Sequence, residues 1–334
     1  MDSILNGLKR FVALLTVVLL CVGCSSVPSL GDNPWEVISL PTDVNLNDIT
    51  FTDNLQHGWL VGSKATVLET TDGGETWEVK TLSLDDKRYR LSAVSFADEE
   101  GWIVGEPSIL LHTDDEGKSW ERVQLSEKLP GEPLSIVALG SNSAEMTTNV
   151  GAIYRTQDGG KTWQAMVQEA VGAIRNIQRS PEGKYVAVSS RGNFYSIWEP
   201  GMNSWEPHNR NSSRRIQNMG FTAEGRLWML ARGGQVQFSD PTDLDTWSDP
   251  IYPELSTSWG LLDLAYRTPD EIWVGGGSGN LLRSVDGGKT WKKDRQLEKV
   301  PSNFYKIVFL NPEKGFVIGQ RGIILKYKDM PETA

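Results

Sequence analysis

The pattern Ser/Thr-x-Asp-x-Gly-x-Ser/Thr-Trp occurs four times, as TTDGGETW at 70–77, TDDEGKSW at 113–120, TQDGGKTW at 156–163 and SVDGGKTW at 284–291. A repeat at fixed period means one supersecondary unit stacked on copies of itself, and it constrains the fold before anything else does. The tryptophan that closes each copy serves as a ruler. Trp35, Trp77, Trp120, Trp163, Trp205, Trp247 and Trp291 lie 42, 43, 43, 42, 42 and 44 residues apart. Each interval holds four short strand-like runs, in the first case 47–51, 58–61, 66–70 and 77–82. Their apolar residues alternate or come in threes, as half-buried and buried strands require. The second run is seen again as GWLVG at 58–62, GWIVG at 101–105, LWML at 227–230, IWVG at 272–275 and GFVIG at 315–319, with Tyr185 in the same place. Only the copy around Met146 departs. Four strands per repeat of this length mark a β-propeller blade.

The ends set the blade count. A lone outer strand opens the array at 35–40, and three strands close it at 305–310, 315–319 and 323–327. One plus three makes a blade. The expected fold is therefore all-β, a seven-bladed β-propeller over 35–334 whose last blade is closed by the N-terminal strand. Closure removes the exposed edges that invite aggregation. In the repeated motif the Asp can bond amides of its own turn, Gly supplies a positive φ, and Trp packs between blades.

Blade order sorts the loops onto two faces. Turns between strands one and two share the first face with the repeated motif. Turns between strands two and three share the second face with the blade-to-blade connections. The span 175–232 holds nine Lys and Arg, eight of them Arg, against four Glu and no Asp, whereas the whole chain carries a net charge of −10. Arginine offers a planar fork suited to carboxylates and phosphates. Arg175, Arg210, Arg214 and Arg215 fall in blade connections, and Arg191, Arg232 and Arg321 share one position in turns between strands two and three. These seven are expected on the second face. Arg179 and Arg226 fall in turns between strands one and two, on the opposite side. The motif has decayed before Trp205 and Trp247, the two repeats richest in Arg.

The N-terminus carries an export signal. Lys9 and Arg10 precede a non-charged, mostly apolar run of twelve residues, 11–22, which suits a signal-peptide core and is too short to span a bilayer. It ends in Leu20-Cys21-Val22-Gly23-Cys24, which resembles a bacterial lipoprotein box with Cys21 in place of the usual Leu. The expected organisation is a signal peptide at 1–23, a lipidated tether at 24–34 that begins with acylated Cys24, and then the propeller. Removal of Cys21 with the signal leaves Cys24 alone, so no intramolecular disulfide can form.

Other chemistry finds little support. The acidic balance, pI about 5.0, argues against nucleic acid as a partner. His57, His112 and His208 are isolated, so no metal site is expected. The Gly-rich segment 275–280 precedes no helix and reads as a turn. No cofactor is implied. Asp-box repeats also occur in sialidases, but no Tyr–Glu nucleophile pair and no sialidase-type Arg-Ile-Pro start is visible, so the chain is read as a non-enzyme.

These features resemble the photosystem II stability and assembly factor family of cyanobacteria and chloroplasts. The resemblance rests on the seven repeats closed by the Trp35 strand, on GWLVG and GWIVG followed by DGGxTW, and on the segments 175–185 and 189–195. It implies a non-enzymatic factor, anchored at the lumenal side of the thylakoid membrane, that binds the newly made precursor of a reaction-centre core subunit and promotes early assembly. The family's arginine patch maps onto Arg175, Arg191, Arg214, Arg215 and Arg232, with Arg179 beside it. A monomer is expected. The residues alone also admit a lipid-anchored receptor for another anionic peptide or glycan, or a sialidase-like glycosidase.

Overall fold

Short buried runs separated by turn residues fold, in a computed structural model, into seven radially arranged antiparallel sheets. The structure describes residues 28–85, 88–210, 212–253 and 260–328. The expected signal peptide and the expected acylation site, Cys24, lie outside the described residues.

Each blade begins with an inner strand on the central axis and runs outward. Blade 1 comprises Leu46–Phe51, Gly58–Gly62, Val67–Thr70 and Glu78–Val79. Its inner three strands match the expected ones to within one residue. Its outer strand is two exposed residues rather than six, because a rim strand has solvent on one side and little to pack against. Blade 7 is assembled from both ends of the chain. Trp35–Ile38 pairs antiparallel with Ile324–Tyr327, from Trp35 opposite Tyr327 to Ile38 opposite Ile324. Blade 5 departs from the plan. It has three regular strands, Ile216–Phe221, Leu227–Ala231 and Gln235–Phe238. Two isolated bridges, Ser239 with Trp247 and Val236 with Ile251, stand in for the fourth. This is a blade whose motif has decayed.

The core lies between blades. Trp77 packs with Phe51 of its own blade and Phe316 of blade 7, and Trp291 packs with Trp228 and Phe238 of blade 5. Trp59 stacks on Phe96 of blade 2, ring centroids 3.9 Å apart. The inner strands surround a channel cavity of about 760 Å³. Polar side chains at its wall clip neighbouring blades together. Asp48 accepts the Val94 amide at 3.0 Å, and Asp263 accepts the Ile307 amide at 2.8 Å. Asn218 donates to the Leu262 carbonyl at 2.9 Å, while Lys306 pairs with Asp48. Burial pushes the enclosed Asp263 carboxyl up to about 6.

The repeated motif is a hairpin fastener. In blade 6 the Thr290 amide and hydroxyl donate to the two carboxylate oxygens of Asp286 at 2.8 and 2.5 Å, and the Ser284 hydroxyl accepts the Gly288 amide at 2.8 Å. The same bonds recur around Asp72, Asp115 and Asp158. The Thr290 hydroxyl and amide hold the Asp286 carboxyl down at about 2. A folded value below that of a free aspartate means that the contribution is full above about pH 4 and is lost as pH falls towards 2. Asp286→Ala is therefore expected to cost about 0.5–1 kcal/mol at neutral pH, the low end for a lost side-chain cap because this carboxylate is half-exposed. Urea midpoints of the variant and the parent should converge near pH 2.

Candidate functional site

The second face gathers arginines from two adjacent blades. Arg175, expected in a blade connection, is instead the second residue of the inner strand of blade 4, Ile174–Arg179, because pairing with the second strand begins one residue earlier. Arg214 and Arg215 precede the inner strand of blade 5, while Arg191 and Arg232 occupy the turns between strands two and three of these blades. All five are exposed.

The guanidinium groups of Arg175, Arg214 and the neighbouring Arg210 are held by neutral acceptors. Arg175 donates to the Ile216 carbonyl at 2.8 Å and to Gln217 at 2.9 Å. Arg214 donates to the Arg232 carbonyl at 3.2 Å and lies 5.5 Å from the centre of the exposed Tyr252 ring. Half-buried Arg210 supports the group from behind, donating to the Arg214 carbonyl at 2.8 Å and to Gln237 at 3.2 Å. The Arg232 amide donates to the Arg215 carbonyl at 2.9 Å, and the Ile216 amide donates to the Gly192 carbonyl at 2.7 Å. The turn that carries Arg191 is thereby fixed beside Arg215.

Among the described residues, none of Arg175, Arg191, Arg210, Arg214, Arg215 and Arg232 forms an ion pair with a carboxylate. Their charges reinforce one another instead. Burial, then the nearby charges of Arg232 and Arg215, lowers the Arg175 guanidinium below its ordinary value. Burial does the same to Arg210. A set of guanidiniums, three of them fixed by backbone carbonyls and none paired with a carboxylate among the described residues, is a preorganised receptor for carboxylates.

Two sequence-picked arginines stand apart. Arg321 is exposed on the same face, in blade 7, where its amide donates to Asn45 at 3.0 Å, with no described contact to the cluster. Arg179 is engaged elsewhere. Its Nε donates to Glu145 of blade 3 at 2.8 Å, and Tyr185 donates to the same carboxylate at 2.9 Å. Arg179 is thus a strap between blades 3 and 4. Tyr252, Gln217 and Gln237 were not singled out from the sequence, where nothing distinguishes them from other loop and strand residues. The three histidines pair singly with Glu69, Glu100 and Asp245, and no metal-holding group occurs among the described residues.

Geometry at Gly192 allows a direct check. Its φ is +67°, and a Cβ there would lie 2.3 Å from the Ile216 carbonyl oxygen. Gly192→Ala is expected to lose at least about 1–2 kcal/mol from the left-handed backbone alone. It should also displace the Arg191 turn, so anionic ligands bind more weakly at temperatures where the variant is still folded. Thermal denaturation and a binding titration measure the two effects separately.

Fold and face together define a closed seven-bladed Asp-box propeller that presents one strongly basic surface. The chain belongs to the photosystem II assembly factor YCF48 family, whose model matches residues 27–328. It is 65% identical to the photosystem II assembly lipoprotein Ycf48 of Trichormus variabilis over 99% of this chain and 97% of that protein. The Ycf48 lipoprotein of Synechocystis is also 65% identical, over 98% and 96%. Among solved structures, one described as YCF48 bound to D1 peptide matches with a TM-score of 0.90 at 59% identity, covering 91% of this chain and 98% of that one. YCF48 from Cyanidioschyzon merolae matches with a TM-score of 0.81 at 40% identity, over 90% and 100%. No helix among the described residues is long and apolar enough to cross a membrane.

Proposed function

We propose that the arginine face receives the newly made precursor of a photosystem II reaction-centre core subunit and so promotes early reaction-centre assembly. The observation that carries this reading is the cluster on blades 4 and 5, where guanidiniums are held by carbonyls and amides and left free to meet an incoming carboxylate. The solved relative described as bound to D1 peptide supports a core-subunit peptide as the ligand. The lipoprotein naming of the 65%-identical relatives supports acylation at Cys24. The anchor would hold the disc at the lumenal side of the thylakoid membrane, raising its effective concentration near partners that emerge there. The factor works as a monomer, by docking rather than by catalysis.

The test is co-purification of the tagged, acylated chain from thylakoid membranes, with recovered core subunits resolved into precursor and mature forms. The expected result is enrichment of the precursor, with binding of its C-terminal peptide weakening as salt rises. Equal recovery of mature and precursor forms, or peptide binding insensitive to salt, would overturn the reading.

A further inference from the structure

Part of the stretch expected as a free leash is built into the rim of blade 6. Ser29 forms a parallel bridge with Lys293. The Leu30 amide donates to the Lys293 carbonyl at 2.9 Å, and the Lys293 amide donates to the Pro28 carbonyl at 2.8 Å. Leu30 packs against the core cluster that contains Trp35 and Leu297.

The bridge has a direction. Lys292–Lys293 leaves the Asp box of blade 6 on the first face and runs towards the second. There Ser302, a little further along, accepts the Gly279 amide from a turn between strands two and three. A parallel neighbour runs the same way, so residues 28–30 also run from the Asp-box side towards the second face. Four residue steps separate Cys24 from Pro28, a reach of at most ~14 Å. On this side of the rim Val285, in the Asp box of blade 6, is a large apolar side chain left 55% exposed. Lys289 and Lys292 are exposed in the same hairpin. An apolar tip among lysines suits the interface of a bilayer.

We propose that this bridge sets how the disc stands on the lipid surface that holds its anchor. The Asp-box side of the rim at blade 6 lies against the bilayer, and the arginine cluster on blades 4 and 5 is turned away from it. The proposal rests on acylation of Cys24. One consequence is that the docked segment must project beyond the membrane surface to reach the arginines, as a chain terminus does.

The test uses the acylated full chain in vesicles carrying a small fraction of nickel-chelating lipid. A nitroxide is placed on Val285→Cys or, at the second face, on Ser190→Cys. Stronger relaxation by the lipid-borne nickel is expected at 285 than at 190. The difference should shrink with a flexible Gly-Ser insert between Val27 and Pro28, which leaves the fold untouched. It should be lost in Leu30→Pro, which removes the donor to Lys293. Equal relaxation at the two sites, or a difference that survives Leu30→Pro, overturns the orientation while the anchor stands. A chain that does not float with the vesicles overturns the acylation reading along with it.

Discussion

Reversing two charges, in Arg214→Glu,Arg215→Glu, is expected to weaken binding of the precursor's C-terminal peptide by about 100-fold or more. Each charge-assisted hydrogen bond contributes ~1.5–3 kcal/mol, so losing two removes at least about 3 kcal/mol before repulsion is added. Stability should change little, within about 1 kcal/mol, because both side chains are exposed and the reversal relieves crowding of like charge around Arg175. Two companions sharpen the result. Arg214→Lys,Arg215→Lys keeps the charge but loses the planar fork, and should fall between the parent and the reversal. Arg226→Glu reverses one charge on the opposite side, where Arg226 lies over the Phe238 ring, and should leave affinity unchanged. Calorimetric titration of the peptide against all four proteins decides the matter. Equal affinities across the set would remove the arginine cluster from the mechanism.

How far the sequence carried this picture follows from how local each feature is. Blade number and ring closure were legible because Trp spacing and strand count depend on a repeating unit, and the Trp35–Ile38 strand pairs as the arithmetic of the two ends required. Convergence of Arg191 and Arg232 was legible because equivalent turns of adjacent blades must be neighbours. The fate of Arg179 was not. Its partner, Glu145, sits in Ala144–Thr148, the second strand whose sequence departs from the repeat, so no equivalent position revealed the pair. The docking of residues 28–30 was hidden for a different reason. Its bonds are backbone to backbone, and a single Leu30 in a polar stretch does not announce a strand. Blade 5 marks another limit: the motif has decayed before both Trp205 and Trp247, yet blade 4 keeps a regular outer strand, Glu206–Asn209, and only blade 5 replaces it with isolated bridges.

Trp35→Ala is expected to cost about 3–5 kcal/mol, the range for truncating a large buried aromatic. Such a loss is a sizeable part of the ~5–15 kcal/mol that holds a typical domain folded. Trp35 is 4% exposed and meets Trp273 edge-on at 5.3 Å, Tyr327 at 5.2 Å and Phe309 at 5.8 Å. It therefore ties the closing strand both to blade 7 and to blade 6. A cavity alone would give a similar loss at any buried Trp, so Trp59→Ala, at the seam of blades 1 and 2, is the comparison. Both variants should show lowered urea midpoints. Only Trp35→Ala should loosen the strand Trp35–Ile38, which would expose the edge of Ile324–Tyr327 to other chains. Early proteolytic cleavage after residue 38 and concentration-dependent self-association are expected for Trp35→Ala and not for Trp59→Ala. The arginine cluster lies on blades 4 and 5, away from the seam, so the folded fraction of Trp35→Ala should bind peptide with parental affinity. Identical proteolysis patterns for the two variants would mean that the ring is held shut by its other interblade contacts and that Trp35 contributes volume alone.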